Sequence, residues 1–157
     1  MKTLPFFIIF CFLFTLLVPG QISAAALYFS PESAAIGQDQ DLKVDIGLNT
    51  EGESINSVTA NFFYPANQLE VNSMTINDNI LSVVAESKWN NGVVSLSSGS
   101  YIPFSGDLVL ATVDFKVKTN AGSGSLNFTQ DSAVIRATDQ SNVLSKKAAA
   151  DFSFWEI

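Results

Sequence analysis

The chain has 157 residues, a formal net charge of −7 and no histidine. Without histidine, Ser-His-Asp and Cys-His nucleophile systems and His-ligated zinc are excluded. The acidic balance argues against nucleic acid as a partner, because binding to phosphates requires a basic face. Only 15% of the residues are charged, against about 25% in an average globular domain. We therefore expect neutral polar side chains to cover most of the surface.

Residues 1–25 are predicted to be a secretory signal peptide. Lys2 gives a basic start, residues 4–18 are almost all apolar, Pro19 and Gly20 break a helix, and residues 23–26 are small. This order is typical of a cleaved export signal. A run of 15 residues is short for a membrane anchor, which needs about 20, so an uncleaved anchor is the less favoured alternative.

Cleavage is expected near Ala24 to Ala26, leaving a secreted mature chain, 26–157, without a membrane span. The only cysteine, Cys11, is lost with the signal. The mature chain then has no disulfide, and its formal charge is −8, from 7 basic and 15 acidic residues. A single domain of this length buries about two thirds of its unfolded surface, which suffices without disulfides.

In the mature chain, apolar residues recur with a period of two, which predicts strands. Asn90-Asn91-Gly92 is the strongest hairpin signal, because an Asn-Gly pair tolerates the positive φ angles of a tight turn. About nine or ten short strands separated by turns predict an all-β, two-sheet antiparallel sandwich. The predicted strands lie at residues 27–29, 42–48, 58–64, 69–76, 83–89, 93–97, 109–117, 126–128, 134–135 and 148–154.

Three segments, in their order and spacing, resemble a cohesin domain. The first contains Ile36-Gly37-Gln38 before an alternating strand. The second and most specific runs from Ile55 through Tyr64-Pro65 to Val71, and the third from Gly106 to Val117. The resemblance extends over nearly all of residues 27–154, and cohesins are related to the carbohydrate-binding modules of families 2 and 3.

The resemblance implies a nine-stranded jelly-roll sandwich without catalytic activity or cofactor. Cohesins are receptors for dockerin modules in assemblies that degrade polysaccharides, and related modules bind polysaccharide directly. The expected partner is therefore a polysaccharide or a dockerin-like protein module. A structural or adhesive cell-surface protein without a glycan ligand is an alternative.

The candidate ligand-binding residues are Trp89, Asn90, Asn91, Tyr101 and Phe104. Aromatic rings stack on the C–H face of sugars, and amides hydrogen-bond to hydroxyl groups. The three aromatic residues flank one predicted hairpin, so a single patch beside the two asparagines is expected. The alternative is that these rings close one end of the core.

A protein partner needs only a sheet face of neutral polar and exposed apolar residues. Alternation within the second of these segments would place Thr59, Asn61 and Phe63 on one outward face. A second outward face would contain Thr112, Asp114 and Lys116. Such faces are in most cases simply solvated.

Paired carboxylates are the acid–base chemistry that remains, since a glycosidase needs two of them across a cleft. A calcium ion, which prefers six to eight oxygen ligands, is a further alternative at Asp131, Asp139 and Asn142. Neither is favoured, so we predict no enzyme activity and no metal site. The candidate carboxylate pairs are Asp39 and Asp41, Glu51 and Glu53, and Asp131 and Asp139.

Overall fold

A computed structural model describes residues 24–157, so the predicted signal peptide lies almost entirely outside the described residues. The described part consists of twelve strands, and no helix in it is long and apolar enough to cross a membrane. The strands are β1 (Ala25–Ser30), β2 (Ser33–Gly37), β3 (Asp41–Asn49), β4 (Ile55–Phe63), β5 (Leu69–Ile76), β6 (Val83–Asn90), β7 (Val93–Phe104), β8 (Asp107–Val117), β9 (Gly122–Phe128), β10 (Ala133–Arg136), β11 (Leu144–Lys147) and β12 (Ala150–Trp155).

The strands form two sheets, which confirms the predicted sandwich. The five-stranded sheet has the order β11-β1-β3-β8-β5. The seven-stranded sheet has the order β2-β12-β9-β4-β7-β6, and β10 also pairs with β4. Most pairs are antiparallel, but β1 pairs with β11, and β2 with β12, in parallel. Strands β5 and β6 are therefore the edge strands that end the two sheets on the β8 and β7 sides.

The sequence prediction missed β2 and β11 and ended β7 too early. β2 and β11 have only five and four residues, and each pairs in parallel with a strand that is distant along the chain. Their local pattern is too short to indicate a strand. β7 runs to Phe104, whereas the prediction ended it at Ser97.

The core lies between the sheets and is built from the alternating apolar positions. Phe29 of β1 stacks on Phe128 of β9 with ring centroids 4.2 Å apart, and it meets Phe62 of β4 edge-on at 5.0 Å. These three rings join the two sheets directly. Burying a side chain of this size contributes about 1.5–3 kcal/mol, and offset or edge-on packing of aromatic rings adds to this.

Candidate binding surfaces

The predicted aromatic patch does not form as one site. Trp89 pairs with Val94 next to the β6–β7 turn, whereas Val83, at the other end of β6, pairs with Gly99. Six residues of strand span about 20 Å, and Tyr101 lies beyond Gly99. Tyr101 and Trp89 are therefore at opposite ends of the hairpin, because Trp89 lies beside the turn whereas Tyr101 lies far along β7 from it.

At the turn end, the hairpin prediction is confirmed in detail. Asn91 and Gly92 have φ angles of 47° and 83°, as a type I′ turn requires at its two central positions. The Tyr64 amide donates to the Gly92 carbonyl across 2.8 Å, which fixes the turn against the end of β4. The turn thereby holds Trp89 and Asn90 in place.

Trp89 lies on the same side of the sheet as its partner Val94, which is fully buried. β6 is an edge strand, so the indole reaches beyond the core and remains 38% exposed. Beside it is a cavity of about 410 Å³ between the β6–β7 turn and β5, which we call the β5–β6 cleft. The cleft is also lined by Tyr64, Glu70, Asn90, Asn91 and Lys118.

Glu70 and Lys118 were not foreseen from the sequence as part of this site. Glu70 is exposed on β5, and Lys118 follows β8 directly. The Lys118 Nζ donates to the Ala66 carbonyl across 2.5 Å, so the ammonium is held at the border of the cleft. Glu70 is 19 residues before Trp89, and no local pattern relates them.

At the other end of the hairpin, β7 departs from its partner strand. Gly99 pairs with Ser57 and Phe104 with Ile55, so residues 100–103 bulge out of the sheet. Tyr101 is 83% exposed at this bulge, and the Tyr101 amide donates to the Ser82 Oγ across 3.1 Å. The neighbouring Ile102, which was not singled out from the sequence, is 78% exposed.

Phe104 forms no patch with Trp89, although it lines a cavity of about 310 Å³ together with Tyr101. It is partly buried and packs against the hydrophobic core where β7 rejoins β4. Of the three aromatic residues, Phe104 is therefore the one that helps to close an end of the core. Trp89 and Tyr101 remain accessible at separate places. The bulge explains the difference, because it returns β7 to the sheet with Phe104 pointing inward.

The outward face of the central strands β9, β4 and β7 carries no charged side chain, and we call it the neutral face. Phe63 is 53% exposed on it, as predicted from its alternation with the buried Phe62. The positions that share this face follow from the pairing of Ser57 with Gly99 and of Phe63 with both Val93 and Asn127. They are Ser57, Thr59, Asn61, Phe63, Val93, Ser95, Ser97, Ser125 and Asn127.

Hydrogen bonds hold the side chains of the neutral face in place. The Asn61 Oδ1 accepts from the Leu96 amide at 3.2 Å, and its Nδ2 donates to the Asp131 carboxylate at 2.9 Å. Hydrogen bonds from Thr129 and then Asn61 lower the pKa of Asp131 below its ordinary value. Thr59 and Ser97 hydroxyls lie 3.3 Å apart across β4 and β7.

The outward face of the five-stranded sheet is charged, and its charges are paired across strands. Lys43 on β3 bonds to Asp114 on β8 at 2.8 Å, which raises the pKa of Lys43. Thr112 donates to Asp45 at 2.6 Å. A partner on this face would have to desolvate these charges, which is costly unless each finds a new partner. On the seven-stranded sheet the outward charges lie on the flanking strands, with Glu86 and Lys88 on β6 and Asp151 on β12, so the centre of the neutral face is uncharged.

Four of the candidate acid–base and calcium residues, Glu53, Asp131, Asp139 and Asn142, are engaged in hydrogen bonds within the protein. Glu53 accepts two hydrogen bonds of 2.7 Å from Arg136, which also bonds to Asp139 at 3.0 Å. The Asn142 Oδ1 accepts from two backbone amides, and Asp131 bonds to β4 as described. Within residues 24–157, no group of three or more acidic side chains is placed to hold a metal ion.

The described residues form a β-sandwich module with an uncharged strip on one outward sheet face and a small cleft where the edges of the two sheets meet. Residues 31–153 match the family model of the cohesin domain. The chain therefore belongs to the cohesin family. A comparison with curated protein sequences finds no significant match.

Several solved cohesin structures share this fold. The seventh ScaB type I cohesin from Pseudobacteroides cellulosolvens has a TM-score of 0.73 and 16% identity, covering 85% of this chain and 94% of that one. A Coh-OlpC–Doc435 cohesin–dockerin complex from Clostridium thermocellum has 0.73 and 10%, covering 86% and 96%. A non-cellulosomal cohesin from the archaeon Archaeoglobus fulgidus has 0.66 and 18%, covering 84% and 91%.

Proposed function

We propose that this chain is a non-catalytic receptor module that binds a dockerin-type protein partner through its neutral face. The observation that carries the proposal is the contrast between the uncharged centre of this face and the charged outward face of the five-stranded sheet. Protein interfaces are depleted of charge at their centre and enriched in aromatic residues. The neutral face combines hydrogen-bonded Asn61 and Thr59 with the exposed ring of Phe63. Membership of the cohesin family supports the class of partner.

The test places one arginine on each sheet. Ser95→Arg introduces a long charged side chain at the centre of the neutral face, and Thr75→Arg is the matched control on the outward face of β5. Binding to a panel of purified dockerin modules is measured by biolayer interferometry. Ser95→Arg should weaken binding by about 2–4 kcal/mol, with the thermal midpoint unchanged. Equal loss in both variants, or none in Ser95→Arg, would place the interface elsewhere.

The absence of catalysis is part of the same proposal. The candidate carboxylates Glu53, Asp131 and Asp139 each bond to protein groups that hold loops together. A general acid and its partner base must instead face one substrate across a cleft. The corresponding test is an assay for release of reducing sugar from polysaccharides. Turnover that one carboxylate substitution abolishes would overturn this part.

We also propose that residues 1–25 direct secretion and that the mature domain spans residues 26–157. Ala25 bears on the position of the cleavage site, because it is buried in β1 and its amide donates to the Val143 carbonyl at 3.0 Å. Cleavage before Ala25 keeps this hydrogen bond, whereas cleavage after it removes the bond. The intact mass of the exported chain distinguishes these sites, and a mass that retains residues 4–18 would contradict secretion by cleavage.

Direct binding of polysaccharide is a second candidate function. The observation that favours it is the exposed indole of Trp89 beside Asn90 and Asn91. This site is separate from the neutral face, so the two functions are compatible in one module. Two measurements test this second function: loss of the chain from the supernatant over insoluble polysaccharides, and binding of the chain to soluble glycans.

A further inference from the structure

We propose that the β5–β6 cleft binds one or two neutral pyranose units of a soluble oligosaccharide, and not the flat surface of an insoluble polysaccharide. This inference rests on polysaccharide binding as the second candidate function and narrows it to a site and a ligand class. Three features of the cleft support it: its aromatic wall, its polar groups and its size.

The aromatic wall is the indole of Trp89. Its ring extends past the edge of the core and is 38% exposed, while the type I′ turn at Asn91 and Gly92 fixes the strand that carries it. The face of an indole carries negative electrostatic potential, which attracts the slightly positive C–H groups of a pyranose ring. Tyr64 on the opposite side packs on Phe115, with centroids 5.6 Å apart, and so closes the inner end of the cleft.

The polar groups around this wall match sugar hydroxyls. The Glu70 carboxylate accepts hydrogen bonds only, whereas the amides of Asn90 and Asn91 both donate and accept. All three residues are exposed at the cleft. Lys118 supplies a cation that is already bonded to the Ala66 carbonyl. An anionic sugar would meet the Glu70 carboxylate on a strongly acidic chain, so a neutral sugar fits better.

The size of the cleft limits the ligand to a short one. Its volume of about 410 Å³ lies at the small end of the range of about 300–1,000 Å³ that small-molecule sites occupy. A flat, insoluble surface requires several exposed rings in one plane. Tyr101 is more than about 20 Å from Trp89 along the hairpin, and Phe104 is packed on the core. These residues do not form such a row.

The experiment is a titration of the mature chain with soluble gluco-, xylo- and manno-oligosaccharides of two to six units. The chain has two tryptophans, so Trp155→Phe makes the intrinsic fluorescence report on Trp89 alone. We expect a saturable change with at least one series. Trp89→Ala, followed by calorimetry, should weaken binding at least about tenfold, and Glu70→Gln should weaken it with the fold intact. Tyr101→Ala is the matched control and should bind normally.

Two results would overturn the inference: no saturable signal with any oligosaccharide, or affinity that neither Trp89→Ala nor Glu70→Gln changes. Glu70 is exposed, so its variant tests the cleft even if Trp89→Ala lowers the thermal midpoint. Depletion by insoluble polysaccharide that depends on Tyr101 would support glycan binding in general but refute this site. Dockerin binding that responds to Ser95→Arg is independent of all these results.

Discussion

Tyr28 shows how one side chain depends on a glycine and a carboxylate that lie far from it in the sequence. Its ring lies flat on Gly47, where an added Cβ would come within 2.1 Å of the ring. Its hydroxyl donates to Asp107 at 2.5 Å. Burial first, and then the hydrogen bond and the negative charge of Asp107, raise the pKa of Tyr28 to about 12.

This shift predicts a loss of stability at high pH. An unfolded tyrosine ionises near pH 10, so the folded state holds this proton more tightly than the unfolded state does. The contribution of Tyr28 to stability is therefore complete below about pH 10 and is lost as the pH rises to about 12. An ultraviolet difference titration between the unaltered protein and Tyr28→Phe measures this pKa.

Asp107→Asn provides the control, since it removes the charge but keeps an acceptor. The pKa of Tyr28 should then move back toward 10, with part of the shift remaining because burial is the larger cause. A folded protein in which Tyr28 already ionises near pH 10 would show that neither the burial of this ring nor its contact with Asp107 persists in solution.

The β6–β7 hairpin is the element that organises the candidate sites. Its turn was predicted from three residues, because the φ requirement of a type I′ turn is local. The bulge at residues 100–103 was not predicted, because it depends on how β7 pairs with β4. The turn therefore fixes Trp89, whereas tertiary pairing decides where Tyr101 and Phe104 point.

Gly92 is predicted to be the residue of this turn that tolerates substitution least. Its φ is 83°, and an added Cβ would lie 2.9 Å from the Tyr64 carbonyl oxygen. We expect Gly92→Ala to destabilise the fold by about 1–3 kcal/mol, measured by urea denaturation. Asn91→Gly, at a φ of 47°, is the matched variant and should change stability much less. Equal effects of the two would contradict a strict backbone requirement at Gly92.

At the scale of the whole molecule, the two sheets share one core. Phe29 from the five-stranded sheet packs on Phe62 and Phe128 from the seven-stranded sheet. Neither sheet can lose its partner without exposing these rings to water. The two sheets thus form one cooperative folding unit. This unit carries both the neutral face and the β5–β6 cleft.

Unfolding should accordingly be a single transition. Both tryptophans lie on the seven-stranded sheet, so their fluorescence reports on that sheet, while circular dichroism reports on both. The two signals should give coincident urea curves with equal midpoints, as two-state unfolding requires. A fluorescence transition that precedes or follows the dichroism would mean that the sheets unfold separately.

The sequence alone determined the all-β class, the alternation that separates core from surface, the Asn-Gly turn and the resemblance to cohesins. The first three follow from local backbone preferences and from a period-two pattern that each strand carries by itself, whereas the resemblance rests on the order and spacing of three segments. Phe62 and Phe63 illustrate this, since neighbours in a strand must point to opposite faces, and they do.

Only the tertiary structure decided which side chains share a site. Trp89 and Tyr101 are close in the sequence but lie at opposite ends of a hairpin, because antiparallel pairing carries the chain away from its turn in both strands. Glu70 and Lys118 line the same cleft as Trp89 because the edges of the two sheets lie beside each other. Cross-strand pairing likewise decides which side chains of several strands share the neutral face and which share the charged face. No single strand determines this.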